Sequence, residues 1–213
     1  QYFRDRTQSS RNHQPLSLAS ERLKGPVCSL PEFNGLGENI LTTIVFTDVK
    51  DSTKRQRENQ KHTLAAIHRD LRLMSKLCQQ YEGQVLKSMG DGLLMCFASA
   101  VKAVKYAQEV QIALAEAATK LHPEEVLEHR IGIHLADVFF SGNDVKGDGV
   151  NVAARLQCES EPGGICMSWM VYEAVKTHLS LEVSCSEHRN LKGIQDPILL
   201  HLVASECFAP GKK

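Results

Sequence analysis

The chain has 213 residues, with 25 Lys+Arg against 25 Asp+Glu and 42% hydrophobic content. That length suits one domain with an appendage and buries a sizeable core without metal or disulfide staples. Balanced charge excludes a nucleic-acid binder working through bulk electrostatics. No apolar run approaches the ~20 residues of a membrane helix, so no membrane contact is expected from this segment. The first residues, QYFRDRTQSSRNHQ, lack the apolar stretch of a signal peptide. Seven cysteines, at 28, 78, 96, 158, 166, 185 and 207, stand at least eight apart. They form no CxxC pair and read as reduced thiols packed in the core of a cytoplasmic protein.

Residues 1–38 are rich in Gln, Ser, Arg, Asn, Pro and Gly and read as a flexible linker or tail. The chain begins at Gln1 rather than Met, which suits a piece of a longer protein carrying an upstream sensor or regulatory domain. ILTTIVFT (40–47) is a buried β-branched strand. Leu64, Ile67, Leu71, Met74, Leu77 and Tyr81 recur at three and four residues, a helix with one apolar face. QVLKSM (84–89), a GDG turn (90–92) and LLMCF (93–97) read as a hairpin. Val101 to Leu121 is a second long helix stopped by Pro123. HRIGIHLA (129–136) and DVFFS (137–141) are expected as two strands, followed by a helix over 150–158. Short strands at 165–168, 181–189 and 197–203 and a helix at 169–178 complete the domain. The order up to 136 is βαββαβ, an α+β ferredoxin-like or palm core with helices on one face of an antiparallel sheet, plus a C-terminal extension.

Four features fall at one end of such a sheet. Asp48 leaves the first strand in IVFTDVKDST, just before the Ser52–Thr53 turn into a helix. A carboxylate there can hold a cation, and the backbone N–H groups of the turn can hold phosphate oxygens. It can equally well cap the helix. Asp91 sits at the hairpin tip, where Asp-Gly is also an ordinary turn dipeptide. Brought together, the two carboxylates repel unless a hard cation such as Mg²⁺ or Mn²⁺ lies between them. Asn151 and Arg155 share a helix face at i, i+4, suited to solvent or to a transferring phosphoryl group. Lys87 lies in an otherwise apolar strand, which suits a residue facing a cleft, and Asp144 follows the strand 137–141.

IVFTDVKDST (44–53), EGQVLKSMGDGLLMCF (82–97), RIGIHLADVFF (130–140) and DVKGDGVNVAARLQ (144–157) together resemble the catalytic domain of class III nucleotidyl cyclases, adenylate cyclases of bacterial type in particular. LKGIQDPILLHLV (191–203) adds a weaker match. The resemblance implies a catalytic domain over 39–205 and a C-terminal tail over 206–213. It implies that Asp48 and Asp91 bind two divalent metal ions, Mg or Mn, with the Val49 carbonyl as an extra ligand. Ser52 and Thr53 match the turn around the β- and γ-phosphates, and Lys192 the lysine for terminal phosphates. Lys87 and Asp144 match the purine-reading pair, and Asn151 and Arg155 the pair that orients the ribose and stabilises the transition state. One departure stands in the phosphate turn, where the family usually has Gly-Phe and this chain has Asp51–Ser52.

Lys87 only donates and ionised Asp144 only accepts, which complements adenine N1 and its exocyclic amine and mispairs with guanine. The resemblance therefore implies conversion of ATP to 3′,5′-cyclic AMP and pyrophosphate, at composite sites shared across a homodimer. The alternatives are a guanylate cyclase or a catalytically inactive cyclase-like regulatory dimerisation module.

Overall fold

The computed structural model describes residues 39–141 and 144–211. The tail expected over 1–38, and Cys28 within it, lie outside the described residues. In chain order the elements are β1 (Asn39–Val49), α1 (Ser52–Gln80), β2 (Gln84–Ser88), β3 (Leu93–Phe97), α2 (Ala100–Ala118), β4 (His129–Ser141), β5 (Asp144–Lys146), α3 (Asp148–Glu159), β6 (Ile165–Ser168), α4 (Trp169–Val175), β7 (Cys185–Arg189) and β8 (Ile198–Val203). The strands form one sheet in the order β2-β3-β1-β4-β6-β8-β7, with β5 added to β4. The part β2-β3-β1-β4 is the antiparallel βαββαβ core read from the sequence.

Two features of the sheet come from the chain beyond that core. The sheet is not wholly antiparallel, because β4 and β6 pair in parallel. The core helices α1 and α2 keep to one face as expected, while the later α3 takes the other. Odd-numbered β1 residues such as Val45 and Val49 pack with Met95, Phe97, Ile67, Met74, Val104 and Val171 under α1, α2 and α4. On the other face Ile44 packs with Leu94, Cys96, Val138 and Ala153, beneath β5 and α3. The crossover α3 bridges parallel β4 and β6, and its Val152 and Leu156 bury against Cys166, Leu191 and Leu200. The period-2 alternation of the strands thus serves two cores, one on each side.

Other boundaries shift for local reasons. α1 begins at Ser52, earlier than its apolar stripe, because residues 52–63 are polar on every side and show no periodicity. That first stretch is held by Arg55, which donates to the Val126 carbonyl at 2.8 Å, and by the Thr63 hydroxyl, which donates to the Arg55 carbonyl at 3.1 Å. The two strands expected at 129–136 and 137–141 are one, since β1 pairs along its whole length with residues 129–139. The strand expected over 181–189 is shorter, Cys185–Arg189. The reading of every cysteine as core is also corrected: Cys78, Cys96 and Cys166 are buried, whereas Cys158 and Cys185 are exposed. No disulfide is formed among the described residues.

Candidate active site

β1 delivers Asp48 one residue before its end, on the face that carries α3. Directly across the β1–β4 ladder stands Arg130, whose Nη2 donates to Asp48 Oδ2 in an ion pair. Gln157, from the inner side of α3, donates its Nε2 to the same oxygen at 3.3 Å. Partial burial raises the Asp48 pKa, and the Asp91 carboxylate beside it adds to the rise, while Arg130 opposes it.

Asp91 reaches Asp48 because the hairpin tip is pressed onto β1. Met89 N–H donates to the Gly92 carbonyl at 2.9 Å to close the turn, and Leu93 N–H donates to Thr47 Oγ1 at 2.9 Å. A Cβ at Gly92 would lie 1.8 Å from the Thr47 carbonyl oxygen, so only glycine permits this approach. Gly90 adopts φ 96°, the left-handed region the turn requires. The GDG turn is therefore a docking device as well as a reversal of the chain.

Beyond Val49, whose side chain is buried in the core under α1, the backbone turns sharply into that helix. Asp51 occupies the N-cap with φ 56° and ψ 26°, and its side chain makes no capping hydrogen bond. Its carboxylate lies 3.7 Å from Lys50 Nζ instead. This position needs the left-handed conformation, which glycine adopts freely and Asp tolerates better than most residues. The Asp51–Ser52 departure thus keeps the turn geometry. No side chain caps the helix, which sets aside the reading of Asp48 or Ser52 as a cap. Ser52 and Thr53 begin α1, whose first N–H groups have no partner within the helix, next in the chain to the carboxylate pair.

Lys87 is exposed on β2 opposite Leu94. A bulge between Val85 and Lys87 turns them to opposite faces, so Lys87 shares the Asp48 face while Val85 packs under α1. Asn151 and Arg155 stand exposed one turn apart on α3, and Val152, Ala153 and Leu156 form its buried side. Lys192 is exposed and follows Leu191, which is buried in one cluster with Val152 and Leu156. Asp144 begins β5, opposite Ser141 of β4; its side chain lies outside the described residues.

The adjacent Asp48 and Asp91 carboxylates fit a divalent cation, and Arg130 already places a positive group on Asp48. Among the described residues no group of three or more His, Cys, Asp or Glu side chains gathers. A pair of carboxylates suits Mg²⁺-like ions that keep waters and substrate oxygens among their ligands, rather than a cage made wholly of protein.

Residues 38–205 match the family model for the adenylate and guanylate cyclase catalytic domain. The chain belongs to this cyclase family. It is 32% identical over 160 residues to "Putative adenylate cyclase 3" of Rhizobium meliloti (strain 1021), an alignment covering 74% of this chain and 27% of that protein. The chain thus spans about a quarter of the length of that relative. Among solved structures it resembles an adenylate/guanylate cyclase/hydrolase from Silicibacter pomeroyi, with a TM-score of 0.73, 30% identity, and coverage of 79% of this chain and 99% of that one. It also resembles the guanylyl cyclase Cya2, with a TM-score of 0.69, 25% identity, and coverage of 79% and 93%.

Within this cyclase domain the residues read from the sequence fall into two groups. Asp48 and Asp91 come together beside the α1 start. Asn151 and Arg155 do not join them, because the inner side of α3, through Gln157, meets Asp48 while the outer side carries Asn151 and Arg155. Arg130 and Gln157 are the two site residues that sequence reasoning missed. Both depend on register: Arg130 follows from the Asp48↔Arg130 pairing and Gln157 from the way α3 crosses β4. The one signal for the crossing was a glycine inside a strand, Gly132, which marks close approach of another backbone.

Proposed function

We propose that this cyclase domain converts ATP to 3′,5′-cyclic AMP and pyrophosphate at two composite sites of a homodimer. The observation that carries the reading is the Asp48–Asp91 pair next to an uncapped helix start, with Asn151 and Arg155 turned outward on the far side of α3. A two-fold axis that sets one copy's carboxylates against the other copy's α3 completes both sites with the same surfaces.

Asp48 and Asp91, with the Val49 carbonyl, would hold two divalent ions, Mg or Mn. When bound, the ions lower the pKa of the ribose 3′-hydroxyl and neutralise phosphate charge. The N–H groups of Ser52 and Thr53 bind the β- and γ-phosphate oxygens at the positive end of α1, and Lys192 of the partner copy binds terminal phosphate charge. Asn151 orients the ribose. The 3′-hydroxyl gives its proton to solvent, its oxygen forms a bond to the α-phosphorus, the bond to the bridging oxygen breaks, and pyrophosphate leaves. Arg155 neutralises charge on the pentacoordinate phosphorus, an electrostatic contribution of about 3–4 kcal/mol by analogy with oxyanion donors. Lys87 donates to adenine N1 and Asp144 accepts from the exocyclic amine, which selects ATP over GTP. Use of ATP fits a cytoplasmic domain under an upstream sensor. No helix among the described residues is long and apolar enough to cross a membrane.

The test is incubation of the purified chain with ATP or GTP and Mg²⁺ or Mn²⁺, with product identification. Cyclic AMP as the main product supports the reading. Cyclic GMP as the main product would overturn the purine assignment, and no cyclic nucleotide would leave a regulatory dimerisation module. Asp48→Ala and Arg155→Ala should each be inactive, and mixing them should restore about a quarter of the parental total activity on random pairing, and about a half if only heterodimers form. Heterodimers that form without activity would overturn the shared site.

A further inference from the structure

Gln157 is a polar side chain in a buried place, 5% exposed, at the inner surface of α3. Its Nε2 donates to Asp48 Oδ2 at 3.3 Å, and its Oε1 accepts from the Cys158 thiol at 3.7 Å. An ionised carboxylate only accepts, so the donor end of the amide must face Asp48. Arg130 meets the same Oδ2 from β4. Both donors therefore fall on one oxygen, which leaves Oδ1 for a cation.

The backbone of Gln157 is fixed as firmly as its side chain. An atom added at Gly132 would lie 2.2 Å from the Gln157 nitrogen and 2.7 Å from its Cα, so α3 rests directly on β4 at this point. Arg130 is two residues from Gly132 on the same strand. The strand that supplies Arg130 thus also seats the helix that supplies Gln157, and the two donors close on Asp48 from the ladder and from above.

We propose that Gln157 is a positioning residue for the metal site: its neutral amide fixes the rotamer of Asp48 so that Oδ1 stays presented beside Asp91. A neutral donor does this without adding a second cation to compete with the metal. Arg130 alone leaves the carboxylate free to turn about the Asp48 side-chain bonds, whereas two donors from different elements define its plane. Partners of this kind around metal ligands are typically worth 10–100-fold in metal affinity or activity. The inference rests on the reading of Asp48 and Asp91 as metal ligands.

The experiment measures Mn²⁺ binding directly, by electron paramagnetic resonance of free Mn²⁺, on the whole chain with a non-cyclisable ATP analogue. Gln157→Met keeps the volume and removes the donor. It should weaken Mn²⁺ binding roughly 10-fold. In turnover it should raise the Mn²⁺ concentration for half-maximal activity, with the KM for nucleotide at saturating Mn²⁺ unchanged. Gln157→Glu keeps the shape and sets an acceptor against Asp48, so it should weaken binding at least as much. It stands in if the Met variant does not fold. Cys158→Ala leaves the donor in place and should bind Mn²⁺ as the parent does. Asp48→Asn run in parallel separates the two readings. If Asp48→Asn loses Mn²⁺ and folded Gln157 variants do not, the positioning role is wrong and the metal site stands. If Asp48→Asn binds Mn²⁺ like the parent, the metal-site reading and the positioning role fall together.

Discussion

Replacing Gly132 by Ala tests how the fold holds its two groups of site residues. The new Cβ would sit 2.2 Å from the Gln157 nitrogen, 2.4 Å from the Ala153 carbonyl oxygen and 2.7 Å from the Gln157 Cα. All three are backbone atoms, so no side chain can rotate out of the way. Ordinary contact is about 3.4–4 Å, and relief therefore needs α3 to lift by roughly 1 Å. Overpacking of this kind costs about 1–3 kcal/mol. For a domain of this size that lowers Tm by about 2–4 °C per kcal/mol, or roughly 2–12 °C in all.

The effect on turnover should exceed the effect on stability. α3 carries Asn151 and Arg155 outward and Gln157 inward, so lifting it would disturb both halves of the proposed composite site. A displacement of about 1 Å at a reacting centre can cost about 100-fold. Thermal unfolding by circular dichroism and cyclic AMP formation at saturating ATP and Mn²⁺ give the two numbers. Trimming Ala153 to Gly in the same background should rescue neither, because the obstacle is its carbonyl and not its methyl group. A Gly132→Ala protein with parental Tm and kcat would show that α3 is not seated on β4 as described. Rescue by Ala153→Gly would show that a side chain, not the backbone, sets the approach.

Further outcomes follow from other contacts. Gly92→Ala must push the hairpin off Thr47, so it should abolish most turnover while urea unfolding shows a loss of about 1–3 kcal/mol; parental turnover would contradict the docking of Asp91 onto β1. Asp51→Gly relieves a left-handed φ of 56° and removes an acid next to the phosphate turn; Tm should hold or rise and the KM for ATP should fall about 2–5-fold, and a higher KM would show that the Asp51 carboxylate assists binding. Asp70, 3% exposed, accepts from Arg69 Nε at 2.8 Å and His129 Nε2 at 3.1 Å, so Asp70→Ala should cost about 3 kcal/mol in urea unfolding, and a loss below about 1 kcal/mol would show that the cluster is not a tie between α1 and β4. Burial lowers the His134 pKa to about 4, against 6.5 for the free residue. Between those values the unfolded chain binds the proton and the folded chain does not, so stability falls as pH drops below about 6.5 and levels off near 4, by about 3 kcal/mol in all. His134→Gln should remove that slope from urea titrations at pH 7 and 5, and an unchanged slope would assign it to other groups.

Much of the fold was legible because its elements announce themselves locally. ILTTIVFT, the hairpin around GDG and the apolar stripe from Leu64 to Leu77 each carry a period that a short window reveals. What stayed hidden was set by partners far along the chain. The first turns of α1 are polar all round and are held by the Val126 carbonyl, so no periodic signal marks them. The unbroken β4 owes its length to β1, not to its own residues. The α3 face was hidden too, since an amphipathic helix does not say which side of a sheet it covers, and the parallel pairing of β4 with β6 decides it.

The site divides along the same line. Asp48, Asp91, Ser52 and Thr53 lie inside short contiguous motifs whose turn geometry is local, and the structure gathers them at one place. Arg130 and Gln157 meet Asp48 across 82 and 109 residues of chain, a proximity that only register and helix seating create. On the proposed reading of a shared site, those two residues also explain why one chain would not complete it alone. α3 cannot turn Gln157 toward Asp48 and Arg155 toward the same Asp48, because residues two apart on a helix point about 200° from each other. The helix spends its inner face on its own carboxylate and keeps its outer face for another. In the proposed homodimer, a second copy related by two-fold symmetry would offer that outer face a carboxylate pair of its own.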